Sequence, residues 1–284
     1  MIQEYYIPTT VADALRIKAD QPHYSFIAGG TEINARGYPK TAQHISGLIS
    51  IARLGLTGIK KEEKNLIIYP AVTLQELIDS PLLNEEPFNM LKTAASNVKN
   101  RHIRNMATIG GNIAACKSCS DMIPILMAMD ATLEVYSSED VKHEESVLEH
   151  IRKKEKYLIT KITIPFRKDF HIAICRYTRT SNDLALINIC LGIELEGGIC
   201  KDARLALGGV AATPLRIMEI EKFLIGEEFN GKLHQYAQKL REHLEKQIHP
   251  IDDIRGKAWF KKELAGGLVI QALYEVAQKG GIIL

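Results

Sequence analysis

Two runs of adjacent glycines constrain this chain of 284 residues more than any other feature. The first is Phe26-Ile27-Ala28-Gly29-Gly30-Thr31-Glu32-Ile33. The second lies within Arg104 to Asp121, where Thr108-Ile109-Gly110-Gly111-Asn112 follows a short basic segment. In each run apolar residues deliver the chain into a Gly-Gly pair, which can turn sharply and present backbone N–H groups with no Cβ in the way. Such N–H groups suit an anionic diphosphate, and two such runs suggest a pincer. Taken singly, each is equally a tight surface turn, since Gly-Gly is common turn punctuation. Neither matches Gly-x-Gly-x-x-Gly, so a Rossmann dinucleotide site has no support.

The flanks sharpen the second run. Thr108 and Asn112 supply side-chain donors and Arg104 a cation, the mix found around phosphate, although Arg104 can equally pair with a neighbouring carboxylate. Asp121 falls at an expected helix start, where its plain role is capping and its alternative role is a contact to a ligand hydroxyl. Arg176, Arg179 and Asp183 read as surface charge unless the fold returns them to the ligand. No Ser-His-Asp or Cys-His constellation is evident, and the nine histidines lack metal-ligand spacing. If the chain is an enzyme, a bound cofactor carries the chemistry.

A chain of this length exceeds the usual single domain, and three units are expected, at 1–56, 57–167 and 168–284. In the first, Thr9 or Thr10 caps a helix to about Asp20, and strands run at 24–28 and 44–51. In the second, 65–69 is a strand and Thr73-Leu74-Gln75-Glu76 a capping box. A longer helix is predicted over 87–100, another from Ser120 or Asp121 through Met129, and strands at 131–136 and 157–164, the latter stopping at Pro165. The charged stretches Lys60–Lys64 and Arg152–Lys156 are placed on solvated turns. In the third unit, strands at 172–178, 184–195 and 203–207, with Glu196-Gly197-Gly198 as a turn, predict an antiparallel sheet. Helices follow at 214–225, with Thr213 as cap and Pro214 in the first position, then at 231–246 and 256–279. Strands followed by helices imply an α+β class.

The 36 basic and 34 acidic residues leave a formal charge of +2, which gives no reason to expect nucleic acid or an anionic membrane as partner. No apolar run approaches the roughly 20 residues that span a bilayer, and the N-terminus has neither a basic nor an apolar signal region, so a soluble, cytoplasmic protein is expected. The five cysteines form no disulfide framework, and Cys116-x-x-Cys119 lacks the second pair that a zinc site or a cluster would need. Inert thiols are expected, with a redox or metal role as the alternative.

With these residues in hand the chain resembles the FAD-binding, medium subunit of the molybdenum hydroxylases, the xanthine dehydrogenase and carbon monoxide dehydrogenase group. Ala28-Gly29-Gly30-Thr31-Glu32 is similar to that family's first flavin loop, and Ile103-Arg104-Asn105 through Thr108-Ile109-Gly110-Gly111-Asn112-Ile113-Ala114 to its second. Ser120-Asp121 with Pro124 also fits. Leu207-Gly208-Gly209-Val210-Ala211 with Pro214-Leu215-Arg216, and Asp253-Ile254-Arg255-Gly256, are similar to motifs of its C-terminal domain. The resemblance implies a two-subdomain FAD-binding domain of the vanillyl-alcohol-oxidase type followed by an α+β C-terminal domain with an antiparallel sheet and helices. It implies FAD held by Ile27, Ala28, Gly29, Gly30, Thr31, Glu32, Ile33, Thr108, Gly110, Gly111 and Asn112, with Val98 near the flavin and Asp121 near the ribityl or flavin end. Arg176 would lie near the electron-acceptor side. Electrons would come from a [2Fe–2S] small subunit served by a molybdopterin large subunit and leave for NAD⁺ or another acceptor. An assembly subunit without flavin chemistry and a stand-alone FAD-dependent reductase are the alternatives. The family often carries proline where this chain has Lys117-Ser118-Cys119, and the family pattern does not explain the Cys116/Cys119 pair.

Overall fold

The computed structural model describes residues 2–35, 45–137, 141–153, 157–229 and 233–282. The fold is α+β and its strands form three sheets. The first is a small parallel sheet of β1 (Glu4–Tyr6), β3 (Gly47–Ser50) and β2 (Tyr24–Ile27), in that spatial order. Helix α1 (Val11–Asp20) crosses over from β1; Thr10 caps it by accepting from Asp13 N, and Ala14 and Leu15 are buried beneath it. Four residues of the expected strand at 44–51 form β3, and position 44 lies outside the described residues.

The second sheet is antiparallel, in the order β4 (Ile59–Glu62), β5 (Asn65–Ile68), β8 (Leu158–Pro165), β6 (Thr132–Tyr136) and β7 (Lys142–Ser146). Lys60, Lys61 and Glu62 therefore lie on an edge strand, which tolerates a charged exposed row, and only Glu63 and Lys64 make the turn. Helix α2 (Leu74–Asp79) has the expected capping box, Thr73 with Glu76. Beyond it the helix predicted over 87–100 forms only as α3 (Asn89–Ser96), and a separate short helix, α4 (Arg101–Arg104), starts past the predicted end. Lys99 is left-handed at φ 46°, and Asn100 caps the new helix by accepting from Ile103 N. Strand β8 runs through Pro165 at the sheet's end, pairing with Asn65. A second capping box, Ser146 with Glu149, opens α7 (Val147–Arg152).

The third sheet, β12-β11-β10-β9, is antiparallel, with β9 at Phe170–Tyr177, β10 at Ile187–Glu196 and β11 at Ile199–Gly208. Gly197 and Gly198 make the expected hairpin turn, both with positive φ. Leu215–Arg216 is not helical as the Thr-Pro signal suggested: it forms β12, paired with Leu207 and Ala206, and the helix begins three residues later as α8 (Met218–Leu224). Helices α9 (Leu233–Gln247) and α10 (Ala258–Lys279) follow, and α10 lays Ala265, Leu268, Val269, Ala272, Leu273 and Val276 into the core of this unit.

The helix that joins the second and third units is α6 (Met122–Ala128), whose sequence Met-Ile-Pro-Ile-Leu-Met-Ala has no polar face. Such a helix must be covered all round, and every one of its residues is buried. Its surroundings include α3 and the helix Ile109–Ala115 on one side and β10 and β11 on the other, so one continuous core contains Leu66, Leu91 and Met122 together with Ile172, Cys190 and Ala206. The Asp130 carboxylate just beyond α6 is gripped by Arg204 Nε at 2.8 Å and Arg216 Nη1 at 3.0 Å. This junction sets where Asp121 meets the third sheet.

Candidate cofactor-binding site

Ala28, leading into the first glycine pair, and Gly110 and Gly111 of the second line one open cleft. Phe26, Ile27 and Ile51 come from the first unit, and Pro70, Ala114 and the segment Tyr157–Ile159 from the second. The two runs thus border one cleft, the first through Ala28 and the second through Gly110 and Gly111, and they are built differently.

The first glycine pair sits in a loop. A Cβ on Gly29 would lie 1.6 Å from the Met106 carbonyl oxygen, so only glycine lets the loop's base abut the segment leading to the second run. Gly30 has φ +68°, and the turn that follows is closed by Asn34 N to Gly30 O (2.9 Å) and Ala35 N to Glu32 O (3.1 Å). Among the described residues, the N–H groups of Gly29, Gly30, Thr31, Glu32 and Ile33 have no protein acceptor. All five residues are partly exposed. Successive backbone N–H groups without protein acceptors can take an anion where they converge.

The second pair is not a turn but the first turn of helix α5 (Ile109–Ala115). Thr108 caps it, accepting from Gly111 N at 3.0 Å. Ile109 N donates to Val72 O and Gly110 N to Pro70 O, both at 3.0 Å. The expectation of bare N–H groups at Gly110 and Gly111 is thus corrected: local and distant acceptors take them. The glycines serve close approach, since a Cβ on Gly110 would lie 2.4 Å from Pro70 Cβ. Asn112 is partly exposed, and its Oδ1 accepts from Ser120 Oγ.

Arg104 has its guanidinium on neighbouring acceptors. Its Nε donates to Gln75 Oε1, and Nη1 to the carbonyls of Ser96, Val98 and Lys99. It closes the end of α3, and Val98 is part of that closure, half-buried against the second unit's core.

Asp121 makes no side-chain cap to α6, so capping is not its role. Its Oδ1 accepts from Arg176 Nε at 3.1 Å and from Asn188 Nδ2 at 3.0 Å, both on the third sheet. Arg176 Nη2 donates in turn to Asp183 O at 2.6 Å, and Arg179 lies 3.8 Å from the Asp183 carboxylate. Burial pushes the Asp121 carboxyl above its ordinary range, against the pull of Arg176 and the Asn188 amide. The fold thus gathers Asp121, Arg176, Arg179 and Asp183 at one corner of the second and third units.

Several residues of this region escaped the sequence reading. Asn188 carries a recoverable signal: it is the polar residue within the apolar strand segment Ile187–Ile193, and a buried amide in such a run must have partners to meet. Pro70 and Met106 carry none, because they act through backbone carbonyls. Lys117, whose Nζ lies 2.6 Å from Glu32 Oε1, is an ordinary loop lysine by sequence. The cysteines form no disulfide. Cys116 Sγ faces Ile151 O at 3.8 Å, whereas Cys119 contacts Arg255 of the third unit. No cluster of metal-ligating side chains occurs among the described residues.

Comparison with known proteins gives the family. Residues 1–167 match the FAD binding domain in molybdopterin dehydrogenase, and residues 173–276 match the CO dehydrogenase flavoprotein C-terminal domain. The chain belongs to this family of FAD-binding oxidoreductase subunits, the flavoprotein subunits of the molybdenum hydroxylases. It is 29% identical over 236 residues to the glyceraldehyde dehydrogenase medium chain of Sulfolobus acidocaldarius, covering 81% of this chain and 83% of that one. It is 26% identical to the xanthine dehydrogenase FAD-binding subunit of Escherichia coli O157:H7, covering 98% and 97%. Among solved structures, carbon monoxide dehydrogenase from Hydrogenophaga pseudoflava superposes with a TM-score of 0.90 at 25% identity, covering 99% of this chain and 98% of that one. No helix among the described residues is long and apolar enough to cross a membrane.

Proposed function

We infer that this chain is the electron-carrying flavoprotein subunit of a molybdenum hydroxylase assembly. It receives electrons from the [2Fe–2S] clusters of a small partner subunit, which a molybdopterin large subunit serves, and passes them to NAD⁺ or another acceptor. The observation that carries this reading is the row of open N–H groups from Gly29 to Ile33 beside the cleft that Gly110 and Gly111 share. Backbone N–H groups without protein acceptors are the donors that the diphosphate of FAD would take.

In this reading Ile27 and Ala28 line the cleft and Gly29 through Ile33 hold the diphosphate. Thr108 and Asn112 flank it, and Gly110 and Gly111 allow the cofactor to approach the backbone. Asp121 and Arg176 hold the ribityl and flavin end, with Val98 close by. FAD supplies an electron carrier that exchanges electrons singly with clusters and in pairs with nicotinamide. The chain's own part is to bind it, to exclude water from the cleft with Phe26, Ile51 and Pro70, and to keep Asp121 oriented from the third sheet. The names of the relatives, a medium chain and a FAD-binding subunit, support assembly with further subunits.

The test is purification of the full chain with and without its neighbours. The expected result is a flavin spectrum with about one FAD per chain and co-purification of iron–sulfur and molybdenum subunits that reduce the flavin. A colourless protein that takes up no added FAD overturns the reading. Reduction by NADH in the absence of any partner supports a stand-alone reductase instead, and co-purification without flavin reduction supports an assembly subunit.

A further inference from the structure

The first glycine loop is anchored at two points. At its base, Gly29 abuts Met106 and Ala107. At its far side, Glu32 Oε1 meets Lys117 Nζ at 2.6 Å. Much of the open N–H row lies between these anchors. The two hydrogen bonds of the loop itself, from Asn34 and Ala35, close its turn and do not tie it to the second unit.

Lys117 is well placed to act as an anchor because its own backbone is held. Cys116, left-handed at φ 45°, turns the chain out of α5. Ser120 N then donates to Lys117 O at 3.0 Å, Gly209 N donates to Ser118 O at 2.7 Å, and Ser118 Oγ donates to Ala211 O. The connector is thereby pinned to the third unit while the lysine side chain crosses to the first. Other cations of the region are engaged elsewhere: Arg104 closes α3, and Arg176 holds Asp121.

Resting on the reading of this cleft as the FAD site, we propose that Lys117 is a positioning residue for the cofactor's diphosphate. Acting through Glu32, it holds the first loop so that its N–H groups point at the anion. The pair is half-exposed, 52% for Lys117 and 45% for Glu32, so its effect is modest and weakens with salt.

The experiment loads the full chain with FAD and follows release by flavin fluorescence after dilution, at low and high ionic strength. Lys117→Gln and Glu32→Gln are each expected to speed release by roughly two- to fivefold at low salt, the size an exposed ion pair allows. The double variant should release no faster than either single, because both remove the same interaction. The exchanged pair, Glu32→Lys with Lys117→Glu, should recover part of the loss. Melting of the FAD-free chain should not change, and both single variants should lose the salt dependence of the parent. Release that is the same in all variants overturns the proposal. So does slower release from Glu32→Gln, or additive losses, since Lys117 would then touch the anion without Glu32. A parent chain that takes up no FAD overturns the functional reading and this proposal with it; uptake with variant-independent release overturns this proposal alone.

Discussion

Asp121 and Arg176, 55 residues apart, meet at 3.1 Å across the junction of the second and third units, with side chains only 7% and 11% exposed. Asn188 completes the arrangement by donating to the same carboxylate oxygen and to Ser120 O. One carboxylate thus ties the start of α6 to two adjacent strands. The corner proposed for the flavin end depends on that tie.

Arg176→Met should therefore be strongly destabilising, because it leaves a buried carboxylate without its cation. Removing one partner of such a pair costs about 3 kcal/mol. Asp121→Asn should cost less, since an amide oxygen can still accept from Arg176 and Asn188. Urea unfolding of the FAD-free chain measures both, and equal midpoints for the two variants would show that the pair does not hold the junction.

The two glycines of the second run should respond differently to alanine. Gly110→Ala places a Cβ 2.4 Å from Pro70 Cβ and 2.8 Å from Pro70 O, so the helix start must move, at a cost of about 2 kcal/mol. Gly111→Ala meets only Thr108 Oγ1, at 2.9 Å, and gains up to about 1 kcal/mol of helix propensity. Thermal melting should therefore fall for Gly110→Ala and stay near the parent for Gly111→Ala. FAD retention should fall in both if Gly111 faces the cofactor; full retention by Gly111→Ala would remove that residue from the site.

How legible these features were in the sequence depended on whether their partners are local. The capping box at Thr73 and Glu76 and the Gly197-Gly198 turn involve neighbours in the chain and were readable. The box at Ser146 and Glu149 was equally local and was overlooked. Gly110 and Gly111 read as a turn because Gly-Gly is turn punctuation, although the cap that opens the helix, Thr108, is local; the acceptor of Gly110 N, Pro70 O, lies far back in the chain. Leu215 and Arg216 carried a genuine helix-start signal that pairing with β11 overrode. The partners of Arg104 were hidden because, apart from the Gln75 amide, they are backbone carbonyls, which no residue type announces. Family and cofactor were legible because the glycine runs, Ser120-Asp121 and the C-terminal motifs occur together in order.

The thiols should differ sharply in reactivity. Burial pushes Cys175 and Cys200 up to about 12, and raises Cys190, which is fully enclosed, further still. The thiolate is the reactive form, so none of these three should alkylate in the native protein at mildly alkaline pH. Cys116, partly exposed at the end of α5, should label first. Mass mapping after brief iodoacetamide treatment reads the order. Because Cys116 and Cys119 face different neighbours, mild oxidation should yield no disulfide between them, and finding one would show that the connector rearranges.

Acid should act on the loop that packs against this connector. Burial alone would raise the Asp253 carboxyl, but the Lys261 ammonium at 2.9 Å and the Arg255 side chain and backbone N–H outweigh it, holding the group well below its ordinary 3.8. A carboxylate depressed in the folded state contributes stability that is fully present above its unfolded value. That contribution is lost as pH falls below the unfolded value toward the folded one. Asp253→Asn should therefore melt below the parent at neutral pH, and the gap should narrow as pH drops below about 4. Lys261, itself buried on α10, also donates to Ile251 O at 2.9 Å, so the variant should loosen the turn from Ile251 to Gly256 and with it the Arg255 contact to Cys119. Faster alkylation of Cys119 in Asp253→Asn than in the parent would register that loosening; a gap in melting temperature that stays constant down to pH 3 would show that Asp253 does not titrate as its partners require.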